Sequence, residues 1–253
     1  MISIKSKSEA DKMKAAGRIV AQVLKRLGEL IRPGIKTLEL DILAEEIIRG
    51  EGAVPSFKGY KTSPGGLAYP ASICTSVNDE VVHGIPGDII LKEGDIISID
   101  VGALKDGFHA DAARTFAVGN IDPEAQRLIE TARKSFFNGI AMAVEGRRLG
   151  DISSEIQRTV EDAGFSVVRA LVGHGIGEEL HEDPQIPNFA TRSRGIRLSK
   201  GMTLAVEPMI NYGEYRVITA ENHWTVKTMD GSLSAHYENT ILITEDEPVI
   251  LTL

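Results

Sequence analysis

The apolar residues of "EADKMKAAGRIVAQVLKRLGELI", which begins at Glu9, return at helical spacing. Ser8 with Asp11 resembles a capping pair, so a first helix is expected from there. "TLELDILAEEIIRGEG" predicts a second helix, starting near Thr37 and stopped by Gly50 and Gly52. The pattern then turns β-rich in "SICTSV", "DIISIDVGAL" and "RTFAVG", the last two joined by a Lys105-Asp106-Gly107 turn. After Asp122-Pro123 the order begins again. "PEAQRLIETARKSFFNGIAMAV" and "GDISSEIQRTVEDAG" read as helices. "FSVVRALVG", "MTLAVEPMI", "WTVKTM" and "HYENTILIT" read as strands or near-strands.

The two passages match in detail. Gly34, Leu40, Ile48 and Gly52 align with Gly146, Ile152, Val160 and Gly164 at one constant offset. "EGDIISIDV" aligns with "KGMTLAVEP", which sets Asp100 opposite Glu207. "HADAART" beside "HYENTIL" sets Asp111 opposite Glu238. The physical reading is an α+β protein of two α-α-β units, residues 8–120 and 121–253. They share one core and form a curved antiparallel sheet backed by helices. One domain is therefore expected over 1–253.

Composition narrows the class. With 42% hydrophobic and 25% charged residues, the chain suits a soluble globular protein. A net charge of −8 without a lysine or arginine block argues against a nucleic-acid partner. No stretch approaches the roughly 20 apolar residues of a membrane helix, and the start carries no apolar run of signal-peptide length. Cys74, the one cysteine, cannot form an internal disulfide, which fits a reducing cytosol. "KTSPGGLAYP", Lys61 to Pro70, reads as an exposed loop.

Candidate chemistry lies in two patterns. "VGHGIGEELHEDP" carries His174 and His181 among three glycines. On a helix that spacing would rise about 10 Å, too far for both rings to hold one ion through bonds of roughly 2 Å. Gly173, Gly175 and Gly177 argue against a helix in any case. Two histidines in different roles are expected, the alternative being a solvated surface loop. The second pattern is four acids in or beside strands: Asp100, Asp111, Glu207 and Glu238. Each alone could be an edge residue or an ion-pair partner, since buried acids are rare unless paired. At repeat-related positions they point to convergence, and converging carboxylates repel unless protonated or neutralised. Two divalent cations balance four carboxylates, and His174 adds a nitrogen. This donor set suits Mn, Fe, Co or Zn. Paired ions of this kind sit about 3.5–4 Å apart.

With these residues in view, the sequence resembles the type I methionine aminopeptidases of the bacterial kind. "NDEVVHGIP", "IDVGALKDGFHADAART", "GHGIGEELHEDP", "EPMI" and "HYENT" carry the resemblance, in order along nearly the whole chain. It implies the pita-bread fold with its internal twofold. It also implies that Asp100 binds one metal with both oxygens, that Asp111 and Glu238 bridge two, and that His174 and Glu207 complete the second. A metal-bound hydroxide would attack the first peptide carbonyl, with Glu207 relaying the proton. His181 would steady the carbonyl oxygen, and His83 would assist the leaving group. Phe57, Tyr60, Tyr69, Cys74, Leu180 and Trp224 would line the methionine pocket, and Asn78 with Ser234 would hold a sodium or potassium ion. The substrates implied are nascent polypeptide N-termini with a small second residue, met at the ribosome by a cytoplasmic monomer.

Other readings remain open on residues alone. The lining role of Cys74 and Trp224 competes with plain core packing. The 61–70 loop is longer than the family's usual connection, which leaves open which tyrosine reaches the pocket. No long insertion separates His181 from Glu207, unlike in type II members. His109 and His236 each precede an acid by two residues, as supporting groups or, the favoured reading, solvent-facing strand residues. A proline-specific peptidase of the same fold, a metal-free binder and a Cys74–His83 protease are the rivals. "GHGIG" lacks the spacing of a dinucleotide loop.

Overall fold

The computed structural model describes residues 2–253. Two helices lead, α1 (Lys7–Gly28) and α2 (Thr37–Gly50), followed by five strands: β1 (Val54–Pro55), β2 (Ile73–Val77), β3 (Glu80–Val82), β4 (Ile96–Lys105) and β5 (Phe108–Ala117). Next come α3 (Pro123–Ile140) and α4 (Leu149–Asp162). The remaining strands are β6 (Ser166–Val167), β7 (Gly173–Gly175), β8 (Glu182–Ile186), β9 (Thr203–Val206), β10 (Met209–Asn211), β11 (Val217–Thr219), β12 (Val226–Thr228), β13 (Ser234–His236), β14 (Asn239–Leu242) and β15 (Val249–Ile250). The ladders among them are antiparallel, which gives the α+β architecture the sequence predicts.

α1 starts two residues earlier than the Ser8–Asp11 pairing suggests. Ser6 caps it, accepting from the Glu9 N–H, while the Glu9 carboxylate accepts from the Ser6 N–H at 2.7 Å. Both serines have an acid three residues on, but glutamate is the acid whose reach closes the reciprocal box. The amphipathic face of α1, from Met13 through Val20 to Leu27, is buried.

The offset of the two helical passages survives in three dimensions. The starts and ends of α2 and α4 differ by 149 − 37 and 162 − 50, both 112. Gly34 and Gly146 precede the pair at φ +93° and +84°. Only a residue without Cβ adopts that backbone freely. Each half builds its own apolar centre: α1 and α2 pack on β4 and β5 around Val20, Leu40 and Ile99. α3 and α4 pack around Phe136, Ile152 and Ile210.

β5 begins at Phe108, six residues before the predicted "RTFAVG" run, so Asp111 lies inside a strand. An acid within the alternation hides the strand from a hydropathy reading. Asp106 and Gly107, at φ 51° and 83°, close the β4–β5 hairpin.

The halves meet along β5 and the β13–β14 segment. Ala113 and Glu238 exchange backbone hydrogen bonds at 3.3 and 3.0 Å. On one side the Thr115 hydroxyl bonds both the C=O and the N–H of His236. On the other the Thr240 hydroxyl does the same for Asp111. This symmetry makes Thr115 the counterpart of Thr240, and hence Asp111 the counterpart of His236. The sequence alignment that set Asp111 opposite Glu238 is two residues out of step. Asp111 and Glu238 come together because they lie on neighbouring strands at this seam.

Candidate active site

Asp100, midway along β4, faces Cys74 of β2 on one side and Ala113 of β5 on the other. Asp111, two residues past that rung, is 4% exposed. Glu207 follows β9, and Glu238, 2% exposed, precedes β14. His174 sits in β7, paired with Ala205 of β9. These five side chains line one end of a cavity of about 280 Å³. Donor atoms of Asp111, His174 and Glu238 all lie within 4.8 Å of one another. His174 Nε2 stands 3.7 Å from Glu207 Oε1.

The electrostatics of this floor are costly. Burial first, then Glu238 and Asp100, push the Asp111 carboxyl far above the usual carboxylate range. Burial, Asp100 and Asp111 do the same to Glu207. Burial, Glu207 and Asp100 do so to Glu238. Burial pushes Asp100 up to about 7. His174 is driven down to about 3 by burial and His181, so its ring is neutral. Its Nδ1 bonds the Gly175 carbonyl at 2.9 Å, which fixes that nitrogen as the donor and leaves Nε2 a free lone pair. Asp100 Oδ1, Asp111 Oδ1, Glu238 Oε1 and His236 Nε2 are buried without hydrogen-bond partners. Buried polar atoms are normally satisfied. Four clustered acids, three of them with orphaned oxygens, and one imidazole lone pair fit divalent cations in chemistry and in charge.

The other end of the cavity is apolar. Phe57, Tyr69, Cys74 and Leu180 are buried members of its wall, with Tyr60 and Trp224 partly buried against them. Both candidate tyrosines reach it. The Tyr69 N–H donates to the Tyr60 carbonyl at 2.8 Å, which pinches the long loop at its neck and keeps both rings in place. Tyr60 packs on His181 at 5.1 Å, and Tyr69 meets Trp224 edge-on at 5.2 Å. Cys74 is both wall and core residue. Its thiol is pushed well up by burial and by Asp100, which removes it as a nucleophile.

His181, against both His174 and Tyr60, and His83, edge-on to Trp224 at 6.3 Å, also line the cavity. The His181 ring lies 4.2 Å from that of His174. Partial desolvation and nearby His109 hold its pKa below the ordinary value. His83 takes φ 59°, a strained backbone for a residue with a Cβ. Burial and His181 bring its pKa to about 4.

Other positions complete the picture. His236 is 1% exposed, with Nε2 3.7 Å from Glu207 and 3.9 Å from Glu238. The solvent-facing expectation fails for it, because the strand before Glu238 is central to the seam. His109 is half-buried and bonds Ser56 Oγ through Nδ1 at 2.8 Å. Ser234 donates its N–H to the Asn78 carbonyl at 2.9 Å, so these two are adjacent. Their side chains bond elsewhere, Asn78 to Asp95 and Ser234 to Asn211. Thr62, Val82, Leu171, Val172 and Met209 also line the cavity and were not foreseen. Strand alternation could have found Met209, two residues beyond Glu207 on the same face.

An acid-and-imidazole floor beneath an apolar wall, on antiparallel ladders backed by four helices, defines a metal-binding hydrolase. The chain belongs to metallopeptidase family M24, whose model matches residues 11–245. It is 55% identical to the methionine aminopeptidase of Clostridium perfringens (strain 13 / Type A), over 100% of this chain and 99% of that protein. It is 49% identical to the crystal structure of methionine aminopeptidase from Thermotoga maritima, with a TM-score of 0.95, covering 100% and 99% of the two chains. Prolidase from Pyrococcus furiosus shares the fold alone, at 23% identity and a TM-score of 0.75, with 99% of this chain covering 65% of that one. No helix among the described residues is long and apolar enough to cross a membrane.

Proposed function

We propose that this enzyme removes the N-terminal methionine from polypeptides whose second residue is small. Asp100, Asp111, His174, Glu207 and Glu238 hold two divalent cations of the Mn, Fe, Co or Zn group. When bound, these supply Lewis-acid polarisation of the scissile carbonyl and lower the pKa of water. Glu207 would accept the proton of the attacking water and pass it to the departing amine. His181, neutral near pH 7, donates its N–H to the carbonyl oxygen as charge develops there. His83, also neutral, contacts the leaving nitrogen.

The methionine side chain lies between Phe57, Tyr60, Tyr69, Cys74, Leu180 and Trp224. Thioethers pack well on aromatic rings. Trp224 Nε1 is buried without a partner and can donate weakly to sulfur. A sodium or potassium ion would be held by Asn78 and Ser234, which are adjacent. The physiological setting is the nascent chain at the ribosome, met in the cytoplasm by a monomer of one domain.

One observation carries this reading: the acid cluster and the aromatic wall share a single cavity. Metal-supplemented cleavage of Met-Ala-Ser against Ala-Pro-Ala tests it. Turnover of the first, lost on chelation and restored by Mn, is expected. Preference for Ala-Pro-Ala would move the enzyme to the proline-specific branch, and full activity in verified metal-free protein would exclude the mechanism.

A further inference from the structure

His181 sits on a turn that the chain ties down from its far end. The Lys5 side chain is 2% exposed, and its Nζ bonds Glu182 Oε2 at 2.7 Å across 177 residues of sequence. The other oxygen of that carboxylate, Oε1, accepts from the Glu179 N–H at 3.3 Å. The Gly177 N–H donates to the Glu179 carbonyl at 3.1 Å, and the Gly177 carbonyl accepts from the His109 N–H at 2.7 Å. Residues 177–182 are thus wrapped around the Glu182 carboxylate, with Leu180 and His181 turned to the cavity.

Two features make room for the lysine. A Cβ on Gly177 would fall 2.3 Å from Lys5 Cε and 2.4 Å from Nζ, so the glycine is the notch through which the side chain passes. The Lys5 backbone is anchored by its N–H to the Gly201 carbonyl at 2.8 Å, one residue before the cap of α1. Neither end of the pair can drift without disturbing a rigid element. A buried pair adds little net stability, but losing one partner strands the other charge. Here the stranded charge would be Glu182, next to His181.

We infer that Lys5 is a positioning residue for His181, acting through the Glu182 carboxylate. The inference rests on the catalytic role given to His181 above. Its test measures Lys5→Met in the native protein and in a His181→Ala background. The expected result is a fall in kcat of about tenfold, with KM nearly constant, in the native background only. The same factor in both backgrounds would mean a purely structural lysine and overturn the inference. So would a tenfold loss of Mn affinity by calorimetry, which would place the effect at the acid cluster.

An NMR readout stands apart from activity. Lys5→Met is expected to move the imidazole resonance of His181 and leave that of His83 in place. Unmoved His181 overturns the inference. If His181→Ala alone leaves kcat unchanged, the catalytic role of His181 fails instead, and the resonance still decides whether Lys5 holds the ring. Should Lys5→Met fail to fold, Glu182→Gln, which removes the charge and can accept from only one of Lys5 Nζ and the Glu179 N–H, is read in the same ways.

Discussion

The two antiparallel strand pairings that supply the acids, the β4–β5 hairpin and β9–β10 against β13–β14, are built differently. β4 and β5 pair without a break, from Ile96 opposite Ala117 to Lys105 opposite Phe108. In the second half, one ladder ends at Val206 opposite Asn239 and another starts at Met209 opposite His236. Glu207, Pro208, Tyr237 and Glu238 fall in the gap. Pro208 has no N–H to give a ladder, and its carbonyl accepts from Tyr237 at 3.2 Å. The continuous hairpin offers the short acids, Asp100 and Asp111, from fixed alternating positions. The interrupted pair offers the longer acids, Glu207 and Glu238, from positions outside the two ladders, so the repeat is an approximate one.

The largest expected effect tests the interrupted side. Glu238→Gln keeps the volume and removes the charge. It should lose Mn binding by calorimetry and lower kcat by about 10³-fold or more. Retained binding would mean that the continuous hairpin suffices with His174. Next, His174→Ala should lose metal, whereas His181→Ala should keep it and lower kcat by about 10²-fold. Equal metal loss in both would merge the two roles.

A smaller effect is read by pH. Metal displaces protons from acids whose affinity for protons is raised, Asp100 to about 7. Apparent Mn affinity should therefore fall as pH drops from about 8 to about 6, with proton release on binding seen by calorimetry in two buffers. An affinity independent of pH there would show the acids already ionised. The smallest effect compares the seam threonines. Thr115→Val and Thr240→Val should each cost about 1–3 kcal/mol in chemical denaturation, since each strands a buried N–H and C=O. Only Thr240→Val should also weaken Mn binding, because its hydroxyl holds Asp111. Equal weakening would make His236 as important to the site as Asp111.

Helix periodicity placed α2 and α4 with their glycine stops, since those signals are local. It misjudged the cap of α1, where two serines two residues apart, Ser6 and Ser8, compete for the same motif. Strand boundaries were legible only where apolar residues alternate, and the start of β5 was lost because functional acids occupy it. The four clustered acids, His174 and the cavity histidines His83 and His181 were identifiable from motifs. The burial of His236 and the place of Leu171 in the cavity were not, because they come from neighbours distant in the chain.

The sequence by itself determined the helices, the repeat and the set of acids and imidazoles, since spacing and residue type are properties of the chain. The tertiary structure decided the seam register that brings Asp111 beside Glu238, the burial that turns those acids into a site needing cations, and the Lys5–Glu182 tie. These depend on desolvation and on distances between segments up to 177 residues apart, which no local pattern encodes.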